Sequence, residues 1–157
     1  RPLMSSSPHL FKMMGLGFTR SMIDKTLEPE NKLWRAVVLN AFDDTLISQS
    51  DRKSSLQKIE AHNWIIHGSR NYEIVCEWAL LDADEMKQHY INALKRRVMY
   101  FNKKQLKWSE YHRIYCLLDH DIDPDSKKQI RRKLDVLREE IHNTKPIIIY
   151  DTILTEI

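Results

Sequence analysis

Residues 71–93 read NYEIVCEWALLDADEMKQHYINA, two apolar stripes of helical period with almost nothing between them. Ile74, Val75, Trp78 and Ala79 recur at three- and four-residue steps, and Met86, Tyr90, Leu94 and Val98 repeat the pattern after a short break. Asn71 and Asp82 each stand where a helix N-cap belongs, because a short polar side chain there accepts from the unsatisfied amides of the first turn. A helix-turn-helix requires a small residue inside its first helix, so that the second can cross closely, and apolar residues around a three- or four-residue turn. Cys76 supplies the small residue, Ala79 and Leu81 flank the turn, and Leu80 stands where glycine is common. Residues 71–93 are therefore predicted to form a helix-turn-helix-like unit.

Reading outward, the chain stays helical. Only three glycines occur in 157 residues, too few for a meander of many hairpins. Upstream, Pro29 fits the first turn of a helix whose stripe runs Leu33, Trp34, Val37, Val38, Ala41, Phe42 and Leu46. Ser50 or Asp51 caps a second helix carrying Leu56, Ile59, Trp64, Ile65 and Ile66, which Gly68 ends. Downstream, Ser109 caps a helix over Trp108–Leu118. Asp123 and Pro124 then open a final helix with Ile130, Leu134, Leu137 and Ile141 on one face, and Pro146 forbids its continuation. The expected fold is all-α: a compact multi-helix domain over 28–145. An irregular N-terminal arm over 1–27, mixing serine, proline and glycine, precedes it, and an apolar docking tail over 146–157 follows.

Residues 31–92 resemble a group of small phage-encoded and alphaproteobacterial proteins. The shared pattern is Leu33, Trp34, Ala36, Val37, Leu39 and Ala41, then Trp64, Ile65, Ser69, Tyr72, Val75, Cys76, Leu81 and Asp82. The chain departs from it at Leu80 and Ala83, where those proteins tend to carry Gly and Pro. The resemblance implies a helical, helix-turn-helix-like fold in a bacterial or phage setting, and assigns no activity.

Charge is distributed unevenly. The net charge is +3 overall, but Lys95 through Lys133 hold twelve Lys or Arg against five acids. Cations at phosphate spacing are what nucleic-acid binding needs. The candidate contacts are Lys87, Gln88 and Asn92 on the second helix of the unit, then Lys95, Arg96, Arg97, Lys103, Lys104, Lys107 and Arg113, then Lys127, Lys128, Arg131, Arg132 and Lys133 on the final helix. Tyr100, Phe101, Trp108 and Tyr111 are interleaved with them. An acidic first turn, Asp82, Asp84 and Glu85, opposes base readout by the second helix, since carboxylates are repelled by phosphates.

Catalytic and metal chemistry find no footing. His112, Cys116 and His120 share a helix face, but no second cluster completes a tetrahedral zinc site. Asp119, Asp121 and Asp123 alternate like the start of a calcium loop, yet Pro124 and Ile130 occupy the positions that need Gly and Glu. There is no Gly-rich phosphate loop and no grouping of nucleophile with base. Cys76 and Cys116 sit in apolar runs and read as reduced core residues. No apolar run reaches the length of a membrane span, and no signal-peptide pattern is seen.

The expectation is thus a cytoplasmic, non-enzymatic DNA-binding protein, regulatory (transcription regulation) or architectural, with no cofactor, metal or membrane. Two alternatives remain open. One is an interaction module, a homodimer or other homo-oligomer formed through the Ile130–Ile141 stripe and the tail. The other is a single-stranded RNA binder using the aromatic and basic stretch.

Overall fold

The computed structural model describes residues 7–23 and 26–149, which contain eight α-helices and one two-stranded ladder. The all-α expectation holds. The helices are α1 (Ser7–Met14), α2 (Leu16–Met22), α3 (Pro29–Asp44), α4 (Arg52–Ile66), α5 (Arg70–Trp78), α6 (Ala83–Lys95), α7 (Lys103–Cys116) and α8 (Pro124–His142), with a 3-10 turn over Leu117–Asp119. Strand β1 (Phe101–Asn102) pairs antiparallel with β2 (Ile148–Ile149). Among the described residues no helix is long and apolar enough to cross a membrane.

The N-terminal residues differ from the expected irregular arm. Leu10, Met14, Phe18 and Met22 recur every four residues and are all buried, so α1 and α2 lay one apolar stripe on the main core. Gly15, at φ 91°, breaks the stripe into two helices, a conformation open to glycine and costly for other residues. The Arg96 guanidinium donates to the Met14 carbonyl at 3.0 Å and so closes the end of α1 from the far side of the chain.

Caps explain most of the helix boundaries. Asp51, Asp82 and Asp123 accept from Ser54, Glu85 and Ser126 amides as expected. Ser69, not Asn71, caps α5, and Asn71 instead accepts from the Trp64 indole at 2.8 Å. Helix α7 begins earlier than expected, because Asn102 and Gln105 form a reciprocal capping box. Helix α6 in turn ends at Lys95, before the Val98 of its predicted stripe, and the chain then leads into β1.

Two cores result. The larger joins α1–α6, including Phe42, Ile65, Tyr72, Cys76, Met86, Tyr90 and Phe101. The smaller lies between α7 and α8, where Tyr111, Leu134, Leu137 and Ile141 are buried. Helix α4 packs against both α6 and α7 and links the two. Cys76 is fully buried, and burial pushes its thiol up to about 11, so it packs as a small apolar residue. Cys116 is only half-buried, its Sγ lying 3.5 Å from His112 Nε2.

Lys58 is the most unusual core residue. It is 2% exposed, and its ammonium donates to the carbonyls of Ile47 (2.8 Å) and Tyr100 (2.6 Å) and to Gln105 Oε1 (3.2 Å), beneath the Phe101 ring. It thereby ties the loop after α3 and the entry to α7 onto α4. Burial pushes its amine down to about 7 from 10.5, while the three oxygens favour the charged form.

Between pH 7 and 10.5 the unfolded chain therefore binds more protons at this site than the native one. Stability should rise with pH across that window and fall as pH drops towards 7. Urea unfolding at a series of pH values should show this rise in the native chain and a flatter profile in Lys58→Met; parallel profiles would remove Lys58 as its cause.

Candidate nucleic-acid interface

The link between α5 and α6 is the four-residue turn that the helix-turn-helix reading requires. Leu81 N–H donates to the Cys76 carbonyl (2.8 Å) and Leu80 N–H to that of Glu77 (3.0 Å), a Schellman closure with Leu80 in the left-handed region at φ 54°. Leu80 thus occupies the conformation that glycine would normally supply. The Tyr72 hydroxyl spans the turn to the Ala83 carbonyl at 2.7 Å, and Met86 and Tyr90 turn inward with no exposure. Tyr90 Oη meets His62 Nδ1 at 2.6 Å, which fastens α6 to α4.

Arg35, on α3, fixes the turn from beneath. Its Nε donates to the Ala79 carbonyl (2.7 Å) and Nη2 to that of Leu80 (3.1 Å), while Nη1 reaches Met22 (2.8 Å) and Ser21 (3.3 Å). A planar fork with five donors is suited to gathering the ends of two helices in this way.

The outward face of α6 carries Gln88, Asn92 and Lys95, all exposed, with Gln88 Nε2 donating to Asn92 Oδ1 at 3.1 Å. The acidic first turn stays exposed, although two of its acids have partners. Asp82 is occupied as the N-cap, and Glu85 accepts from Ser21 Oγ of α2 at 2.8 Å and lies 3.6 Å from His89. Asp82, Asp84 and Glu85 all remain exposed. Lys87 is half-buried, its ammonium lying over Gly68 at the α4–α5 corner.

The run of positive charge does not fold into a single face. Helix α6 packs among α1, α2, α4 and α5, whereas α8 packs on α7 and the 3-10 turn, so α4 and α7 stand between the two groups of cations. Arg96 is committed to Met14, and exposed Arg97 ends α6 in a left-handed conformation at φ 61°. Lys107 pairs with Glu140, which joins α7 to α8. Lys103 is exposed at the base of α7, and Arg113 lines a groove with Glu60 and His112. On α8 the buried stripe takes one side, and at 100° per residue Lys127, Lys128, Arg131, Arg132 and Lys133 spread around the remainder. Lys127 is half-buried and the other four are exposed.

One expectation for this region changes. The Ile130–Ile141 stripe is covered by α7 within the same chain and is not open to a partner. The tail contributes Ile148 and Ile149 as β2, and residues 150–157 lie outside the described residues. Two residues at this end were missed in the sequence: Arg52 and Arg138, which both lie against the Tyr111 ring. The only signal for them was the i,i+4 spacing of Tyr111 and Tyr115.

Among the described residues no group of three or more His, Cys, Asp and Glu side chains is placed to hold a metal ion. No protein-family model, curated protein or solved structure matches the chain.

Two substitutions test the turn. Leu80 is 59% exposed, so Leu80→Gly should relieve left-handed strain with little lost packing and stabilise by about 0.5–1 kcal/mol. Arg35→Met should cost about 3 kcal/mol by leaving carbonyls at the ends of α2 and α5 without their donor. Urea midpoints measure both; a destabilised Leu80→Gly would show that the side chain packs more than its exposure implies.

Proposed function

We propose that the chain binds duplex DNA, in a regulatory or architectural role, by seating α6 in a groove. Gln88 and Asn92 would meet base edges, and Lys87, Lys95 and Arg97 the flanking phosphates. The observation that carries this reading is the α5–α6 pair. It has the four-residue turn, the left-handed closure and the inward Met86 and Tyr90 of a helix-turn-helix, while the polar outer face of α6 is left uncovered by the described chain. Amide side chains on such a face are the groups that read adenine edges, and cations at its end are placed for backbone contact.

Duplex is favoured over single strands by the state of the aromatic residues. Phe101 and Tyr111 are buried, and the Trp108 indole is committed to the Ser50 carbonyl at 3.0 Å. Base stacking needs exposed ring faces; of the four rings in this stretch Phe101 and Tyr111 offer none, and Tyr100 and Trp108 are only half-exposed.

Gel-shift titration against random-sequence duplex at two salt concentrations tests the proposal. Affinity should fall with salt by roughly 0.9 log unit per log unit for each phosphate contacted, and Lys95→Gln with Arg97→Gln should lower that slope by roughly two. Absence of binding to any duplex at low salt would end the proposal.

A further inference from the structure

A cleft of about 480 Å³ lies between the start of α4, the first half of α7 and the end of α8. Arg52, Lys104 and Arg138 converge on it, with Asp51, Trp108 and His142 along its walls. The Arg52 guanidinium carbon lies 4.9 Å from the Tyr111 ring centroid and 5.1 Å from that of Tyr115. That of Arg138 lies 5.5 Å from the same Tyr111 ring, and its Nη2 donates to the Tyr111 hydroxyl. Tyr111 is 1% exposed and belongs to the small core, so the platform beneath both guanidinium groups is fixed.

Two guanidinium groups held on one ring and an ammonium lining the same cleft concentrate positive charge there. Among the described residues none of Arg52, Lys104 and Arg138 has a carboxylate at ion-pairing distance. The cleft's own acid, Asp51, is turned onto the Ser54 amide at 3.1 Å as the cap of α4. The aromatic contacts hold the arginines in place without neutralising them. What neutralises such a cluster best is an anion with several acceptor oxygens, which a guanidinium grips as a fork and an ammonium as a point charge.

We propose that this cleft binds a phosphate group, with Arg52 and Arg138 as forked donors, Lys104 as a point charge and the His142 imidazole as a further donor. A phosphodiester backbone and a free phosphorylated small molecule present the same chemistry. The first source rests on the DNA-binding reading above and would give the duplex a contact remote from α6; the second does not depend on it.

NMR of the full chain distinguishes the sources. The Trp108 indole N–H, donated to Ser50 at the cleft wall, is the reporter, assigned with Trp108→Phe. Titration with inorganic pyrophosphate should shift this signal saturably. Affinity should drop about threefold or more in Lys104→Gln and about tenfold or more in Arg52→Gln/Arg138→Gln, as loss of charge-assisted hydrogen bonds requires. Lys104→Gln leaves the tyrosine platform intact and stands as the test if the double variant does not fold. A short duplex provides the second arm.

If the duplex moves α6 amides while neither probe moves Trp108, the cleft proposal is overturned and the α6 reading survives. Should pyrophosphate move Trp108 and the duplex move nothing, the cleft stands as a site for small phosphorylated molecules and the DNA reading falls. Unchanged pyrophosphate affinity in Lys104→Gln would also count against the cleft.

Discussion

The arrangement of the large core depends on one buried guanidinium. Arg35 is 7% exposed and gathers carbonyls from the ends of α2 and α5, so three helices separated in the sequence are held to one point. Helix ends are the places where carbonyls lack intrahelical donors, and burying them without partners is costly. Arg35 meets that requirement for two ends at once and sets the angle at which the turn leaves α5. The orientation of α6, and with it every functional statement about that helix, follows from this contact. Lys58 has the analogous role on α4, where loop carbonyls again converge on a single buried amine.

Much of this was legible in the sequence, and what failed has physical reasons. Asp51, Asp82, Asp123 and Pro124 marked helix starts because capping is a local interaction that one residue and its near neighbours decide. The α5–α6 turn was legible for the same reason. The stripe of Leu10, Met14, Phe18 and Met22 was hidden because glycine and serine between its members, and proline ahead of them, suggested irregular chain, and only packing against α3 and α6 rewards its helical form. In α3, Leu33 and Val37 seemed to belong inside but are exposed, because Arg35 and Asp44 take buried positions that periodicity alone would deny to charges.

The candidate interface was legible in part. Linear proximity made Lys95 through Lys133 look like one patch, but a charge run maps to a surface only if the elements carrying it are neighbours on one side. Here the run crosses from the large core to the small one, and the helix periodicity of α8 scatters its own cations further. Gln88, Asn92 and Lys95 remained together because they lie on one face of one helix. Arg52 and Arg138, far apart in sequence and each beside an acid, gave no hint that they meet, since their common partner is the face of a buried tyrosine.

The two-residue ladder at the base of α7 and α8 has a topological consequence. Phe101 pairs with Ile149 and Asn102 with Ile148, and the Lys103 amide reaches the Ile147 carbonyl at 2.8 Å, so the chain enters and leaves this helical hairpin at the same spot. The hairpin also carries its own small core. Such an excursion, stitched shut at its base, is an insertable module: its distal bend around Asp119–Asp123 is free to lengthen or diversify over evolution while the stem keeps its register with the rest of the molecule.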